Sequence, residues 1–305
     1  MLSYSRFVEL WNSCFSHVKI REYKAVTGKC ECCAFLSQLR AESRSAAMRQ
    51  EVTLYHHYHR TMYMGEKLTY YKRREDAISL PRLYESTISD GMAKSHTRVP
   101  WLANLKDSKK MLEQHLQGNL SHGRFMRIYR TFNNVKAGCN LAIHCWLMNL
   151  ERVIEKENKL PPTVYYQVDG GSENTARAVL AICELLIIKR LTTKIIFTRL
   201  VVGHTHEDID SKFGKIWTEI RNNHVLSPDD FEYFINKVLK SDKQPVEIVD
   251  LFVLPNYQAI LEPIFDKEFG LYAKEENTVL QFTFEAVERC PDFPLGCKVS
   301  NMLCM

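Results

Sequence analysis

Arg199 to Asp210 reads RLVVGHTHEDID, and Val164 to Asn174 reads VYYQVDGGSEN. Each is a short run of β-branched and aromatic residues that stops at acidic and polar ones and is followed by a helix-start signal. Strand, turn, then helix is how α/β folds deliver charged groups to one edge of a sheet. Carboxylates and imidazoles gathered at such an edge suit a hard-metal site.

Working outward, Ser172 is a helix N-cap for the apolar run Glu173 to Lys189, and Lys194 to Val202 is a strand. Thr205 and Asp208 have capping-box spacing for a helix through Ile220. In that helix Ile209, Phe213, Ile216 and Ile220 form one apolar stripe beside Trp217. Upstream, LYESTISD ends a strand at Asp90, and a loop with Gly91, Pro100 and lysines follows. Gly123 to Phe132 and Asn140 to Trp146 read as two more strands, and Leu147 to Asn158 as a helix. The predicted order is three strands, helix, strand, helix, strand, helix. Ser227-Pro228-Asp229-Asp230 starts a further helix, and Val279 to Ala286 is strand-like.

The 305 residues are 45% hydrophobic and 25% charged, an ordinary soluble composition. Ala178 to Ile188, the most apolar run, contains Glu184 and is too short to span a bilayer. The start, MLSYSRFVELW, lacks a secretory plan, so no membrane partner and a nuclear or cytoplasmic location are expected. The 10 cysteines do not form a secreted disulfide framework. The net charge is +5, and residues 1–80 hold 13 Lys/Arg against 8 Asp/Glu, with 28 of each beyond. That excess points toward a polyanionic partner or a solvated basic face.

Three acids stand out. Asp169 ends a strand before glycines that admit close approach. Asp90 ends the first strand of the unit before Gly91. Asp210 lies at the border of the buried helix face, whereas Asp208 sits on the wet side with Lys212, Lys215 and Glu219 as a capping acid. Asp90, Asp169 and Asp210 can converge on one or two divalent cations, with Glu173 and His204 as further ligands or orienting groups. GHTH also occurs in metallophosphoesterases and His-x-His-x-Asp in metallo-β-lactamases. The first also need D-x-H, G-D and G-N-H segments, and the second a histidine where Ile209 stands.

In the N-terminal quarter Cys30, Cys33, His56 and His59 offer two thiolates and two imidazoles for a structural Zn²⁺, or are reduced cysteines beside a histidine-rich helix face. Tyrosines interleaved with Arg60, Lys72, Arg73 and Arg74 can stack on bases and meet phosphates, or are core aromatics beside solvated charge. Cys183 has no base nearby, and Gly170-Gly171-Ser172 lacks the lysine of a phosphate loop.

The order of elements resembles the ribonuclease-H-like fold of DDE transposases and retroviral-type integrases. The motifs Ser89-Asp90-Gly91-Met92, Asp169-Gly-Gly-Ser-Glu173-Asn174 and Gly203-His204-Thr205-His206-Glu207-Asp208-Ile209-Asp210 resemble an uncharacterised family of eukaryotic mobile-element-like proteins, from about residue 20 into the C-terminal region. The resemblance implies a DDE-like triad of Asp90, Asp169 and Asp210 with Mg²⁺ or Mn²⁺. Gly170 and Thr175 stand where many such relatives carry asparagine and lysine. A catalytically inactive, domesticated DNA- or protein-binding module is therefore the alternative to a transposase-like nuclease. The expected organisation is a basic helical segment (residues 1–80), a ribonuclease-H-like core with a mixed five-stranded sheet flanked by helices (81–225), and an α+β extension (226–305). DNA is the expected partner, with a homo-oligomer open.

Overall fold

The computed structural model describes residues 6, 13–14, 30–103, 111–169, 176–199, 208–240, 242, 244–269, 279–287 and 296–303. Helix α1 spans Glu31–Glu42 and α2 spans Ala46–Ser79. At 34 residues α2 is about 51 Å long. Ser45 caps its start by accepting from the Met48 amide, and Pro81 follows its end.

Strands β1 (Tyr84–Gly91), β2 (Gln114–Ser121) and β3 (Phe125–Phe132) form an antiparallel meander. Helix α3 (Cys139–Glu157), β4 (Thr163–Val168), α4 (Arg177–Ile188), β5 (Lys194–Arg199), α5 (Asp208–Arg221) and α6 (Pro228–Leu239) follow. The chain continues through β6 (Val246–Leu251), α7 (Tyr257–Phe269), β7 (Val279–Val287) and β8 (Gly296–Leu303). One mixed sheet has eight strands, in the order β6-β3-β2-β1-β4-β5-β7-β8, rather than the expected five. Residues after 225 supply the extra strands, β6 beside β3 on one border and β7 with β8 beside β5 on the other.

Two sequence expectations are corrected. Asn140 to Trp146 belongs to α3 and is not a strand. Leu141, Ala142, Cys145, Trp146, Asn149, Leu150 and Val153 are buried at helical spacing, and Trp146 stacks on Tyr166 of β4 at 4.1 Å. The strand missing from the expected meander is β2, placed in the loop after Asp90. Its Leu116 and Leu120 enter the core on one face, and its Gln117, Asn119 and Ser121 are buried on the other. Those polar residues mask the alternation; Gln117 donates to Ser89, Asn119 Oδ1 accepts from Ser89, and Ser121 bonds Glu85 and Asn149.

Helices cover both faces of the sheet. Buried residues of α3 and α4 pack with Val164, Tyr166, Val168, Ile195 and Phe197. On the other face the stripe Ile209, Phe213, Ile216 and Ile220 packs with Ile88, Leu116, Leu120, Met126 and Ile128, as the sequence stripe anticipates. Burying each such side chain contributes about 1.5–3 kcal/mol. Helix α5 comes unusually close at Gly118. A Cβ built there would lie 2.8 Å from Phe213 Cζ and 2.9 Å from Ile209 Cδ1. Helix α6 begins with the capping box that Ser227 and Asp230 foreshadow. Among the described residues no helix is long and apolar enough to cross a membrane.

Candidate functional site

β1 and β4 run parallel, with Ile88 beside Gln167 and Ser89 beside Val168. Asp90 and Asp169 are the next residues, so they stand side by side at the same end of neighbouring strands, about 4.8 Å apart in backbone spacing. Side chains alternate along a strand, which puts Asp90 on the face of Ile88. That is the face covered by α5, because Ile88 packs with Ile209 and Phe213. Asp90 is also paired across the sheet with Gly118, on which Ile209 rests. Its carboxylate accepts the Gly91 amide at 2.8 Å.

Asp210 opens α5 two residues after its start. Trp217 lies seven residues on, nearly two turns, and so shares its side of the helix. Trp217 stacks at 4.0 Å on His96, which follows the end of β1, and meets Trp101 edge-on at 4.8 Å. The side of α5 that bears Asp210 thus packs, at Trp217, against the segment that follows β1. The carboxyl oxygens of the three aspartates do not all lie within 4.8 Å of one another. Glu173 and His204 lie outside the described residues.

Asp208 faces the opposite way, toward the start of β1. It is half-buried rather than on the wet side of the helix, and Thr205, its expected capping partner, lies outside the described residues. Arg74 of α2 donates to its Oδ2 at 2.8 Å, Tyr70 donates at 3.5 Å, and His122 Nε2 stands at 3.6 Å. His122 is 3% exposed, and its Nδ1 is 3.0 Å from Ser86 Oγ and from the Ser86 carbonyl. His122 and then Arg74 hold the Asp208 carboxyl well below the usual carboxylate range, against the opposing effect of burial. This network ties α2, β1, the β2–β3 turn and α5 together beside a cavity of about 490 Å³ that includes Lys212 and Lys215. Sequence reasoning missed His122, because no local spacing links it to Arg74 or Asp208.

The cations expected to meet nucleic acid divide into two pairs. Arg73 is spent inside the fold, donating to Thr198 at 2.7 Å and Gln281 at 2.6 Å and lying over the Tyr165 ring. Arg74 is engaged by Asp208. Arg60 and Lys72 are exposed on α2. Of the expected zinc ligands, Cys30, Cys33 and His59 come together with their ligand atoms all within 4.8 Å, and His56 is not in that group. No other group of three or more such ligand residues meets that spacing among the described residues.

A family profile described as "Domain of unknown function (DUF7869)" matches residues 104–289. No curated protein matches the chain. Among solved structures, "Crystal structure of the Mos1 Strand Transfer Complex" is similar at 12% identity and a TM-score of 0.33, covering 80% of this chain and 81% of that one. "Crystal structure of the mariner Mos1 paired end complex with Mg" is similar at 10% identity and a TM-score of 0.33, covering 80% and 82%. At that distance no residue role is carried across.

Proposed function

The chain belongs to the DUF7869 family, and from that premise we propose that it carries out metal-dependent phosphoryl transfer on DNA, as a transposase- or integrase-like nuclease. The observation that supports this reading is the register of β1 and β4, which brings Asp90 and Asp169 to the same end of neighbouring strands, Asp90 on the face of Ile88. The inner strand order β3-β2-β1-β4-β5, with β2 antiparallel to its neighbours, supports a ribonuclease-H-like core.

Asp90, Asp169 and Asp210 offer hard oxygen donors to Mg²⁺ or Mn²⁺, with Glu173 and His204 as further candidates. A pair of such cations about 3.5–4 Å apart is the arrangement this chemistry uses. Such cations, when bound, supply positive charge to a hydroxyl nucleophile and to the departing phosphodiester oxygen. The chain's own contribution is positional. Asp90 is held by its pairing with Gly118, Asp169 follows directly on β4, and Asp210 is carried by the seating of Ile209 and Phe213 on Gly118. Exposed Arg60 and Lys72 are available to backbone phosphates.

The test is nicking of supercoiled plasmid by the full chain with Mg²⁺ or Mn²⁺. The unmodified protein is expected to nick, and Asp169→Asn to abolish nicking while DNA retention on a gel persists. Retention without nicking by both proteins, with either cation, would overturn the enzyme reading and leave a binding module on the same scaffold.

A further inference from the structure

Cys30 immediately precedes α1, and Cys33 lies in its first turn. His59 belongs to α2, 29 residues beyond Cys30, yet its Nε2 stands 3.2 Å from Cys30 Sγ. Cys33 Sγ completes a triangle whose corners are all within 4.8 Å. In a tetrahedral zinc centre, with Zn–S about 2.3 Å and Zn–N about 2.0–2.1 Å, a sulfur–nitrogen edge measures about 3.5 Å. The observed edge is within a few tenths of an ångström of that. Hydrogen bonds of Cys30 with His59 and of Cys33 with Cys30 already gather the three ligand atoms at one point.

The surroundings show why such a centre is needed. Helix α1 has 12 residues, and Leu36 is its one buried side chain. Helices this short are marginal in water unless tertiary contacts hold them. On the first half of α2 the buried residue is Val52, and the next is Tyr70. With Leu36 its one buried side chain, α1 stands to gain from a cross-link at its first turn.

We propose that Cys30, Cys33 and His59 bind one Zn²⁺ that clips α1 to α2. Cys30 is 7% exposed, and Cys33 and His59 are half-buried, so the fourth position opens toward solvent. Binding releases protons from the thiols and couples metal occupancy to the folding of α1. The site shares no residue with the aspartate cluster, so its test is independent of nicking.

The experiment uses the full chain, first as purified and then stripped by chelation and titrated with Co²⁺ and Zn²⁺. One zinc per chain is expected on elemental analysis. One equivalent of Co²⁺ should give tetrahedral visible bands and a thiolate-to-metal charge-transfer band, both erased by Zn²⁺. Cys33→Ser and His59→Ala should each weaken Zn²⁺ binding by at least about 100-fold. Cys139→Ser, a buried cysteine on α3, should not change it. His59→Cys supplies a competent ligand and should retain the metal, which separates lost coordination from lost folding. Chelation should also expose Arg40 on α1 to trypsin, and Zn²⁺ should restore protection. Zinc-free protein with an octahedral cobalt spectrum, or unchanged stoichiometry in both Cys33→Ser and His59→Ala, would overturn the proposal.

Discussion

Gly118→Ala is a one-methyl change that bears on both the fold and the proposed chemistry. The new Cβ would sit 2.8 Å from Phe213 Cζ and 2.9 Å from Ile209 Cδ1, whereas ordinary contacts start at 3.4 Å. Phe213 is 6% exposed and Ile209 fully buried, so neither has free space to retreat into. Relief requires α5 to back away from β2 by roughly half an ångström or more, and overpacking of this kind costs about 1–3 kcal/mol. For a chain of this size that lowers Tm by about 2–4 °C per kcal/mol. Urea unfolding followed by circular dichroism should show a lower midpoint at unchanged slope. Phe213→Leu removes the ring tip, so it should cost less in the Gly118→Ala protein than alone, with a coupling of about 0.5–3 kcal/mol. Because α5 carries Asp210, nicking should also fall about tenfold or more although no acid is altered. A Gly118→Ala protein with the parental midpoint, or a Phe213→Leu cost identical in both backgrounds, would refute the close-approach argument.

Two further perturbations probe the buried charges. Glu85 is fully buried and pairs with Arg124 at 2.8 Å, whose side chain is 6% exposed and also meets Glu157. Arg124→Met should destabilise by about 3–5 kcal/mol by stranding a buried carboxylate, and adding Glu85→Gln should recover most of that on thermal unfolding. A loss below about 1 kcal/mol in the single variant would show that Glu85 does not need the pair. Asp208 has a carboxyl pKa depressed in the folded state by His122 and Arg74, so its contribution is present above the unfolded value and lost as pH falls toward the folded one. The stability gap between the parent and Asp208→Asn should therefore be full above about pH 5 and shrink below about pH 4. Parallel acid-unfolding curves would sink that assignment.

What could be read from the sequence follows from how local each signal is. The β4–α4 and β5–α5 units announce themselves, because an apolar strand, a polar turn and an amphipathic helix lie within one short segment. The Ile209–Ile220 stripe gives the buried side of α5 for the same reason. β2 escaped because Gln117, Asn119 and Ser121 are polar yet inward, bonded to partners on other strands and helices. Asn140 to Trp146 misled because seven residues are too few to separate a period of two from one of 3.6. Asp208 and Arg74 each looked like surface charge, since the partner that buries them is 134 positions away. Asp90 and Asp169 were legible as strand ends, but only the parallel register sets them level. Cys30, Cys33 and His59 were legible as residue types, and the packing of α1 on α2 decides that His56 is not in the group.

The position of β6 and β7 carries a consequence for biosynthesis. β3 waits for a partner more than a hundred residues downstream, and β5 for one more than eighty residues downstream. A nascent polypeptide that has already completed its inner strands at the ribosome thus carries two raw hydrogen-bonding margins until its tail emerges. Closure of such distant pairs is slow, and open margins invite intermolecular pairing in the meantime. Yield in a heterologous host should accordingly depend more on chaperone supply and growth temperature than on the strength of the central core.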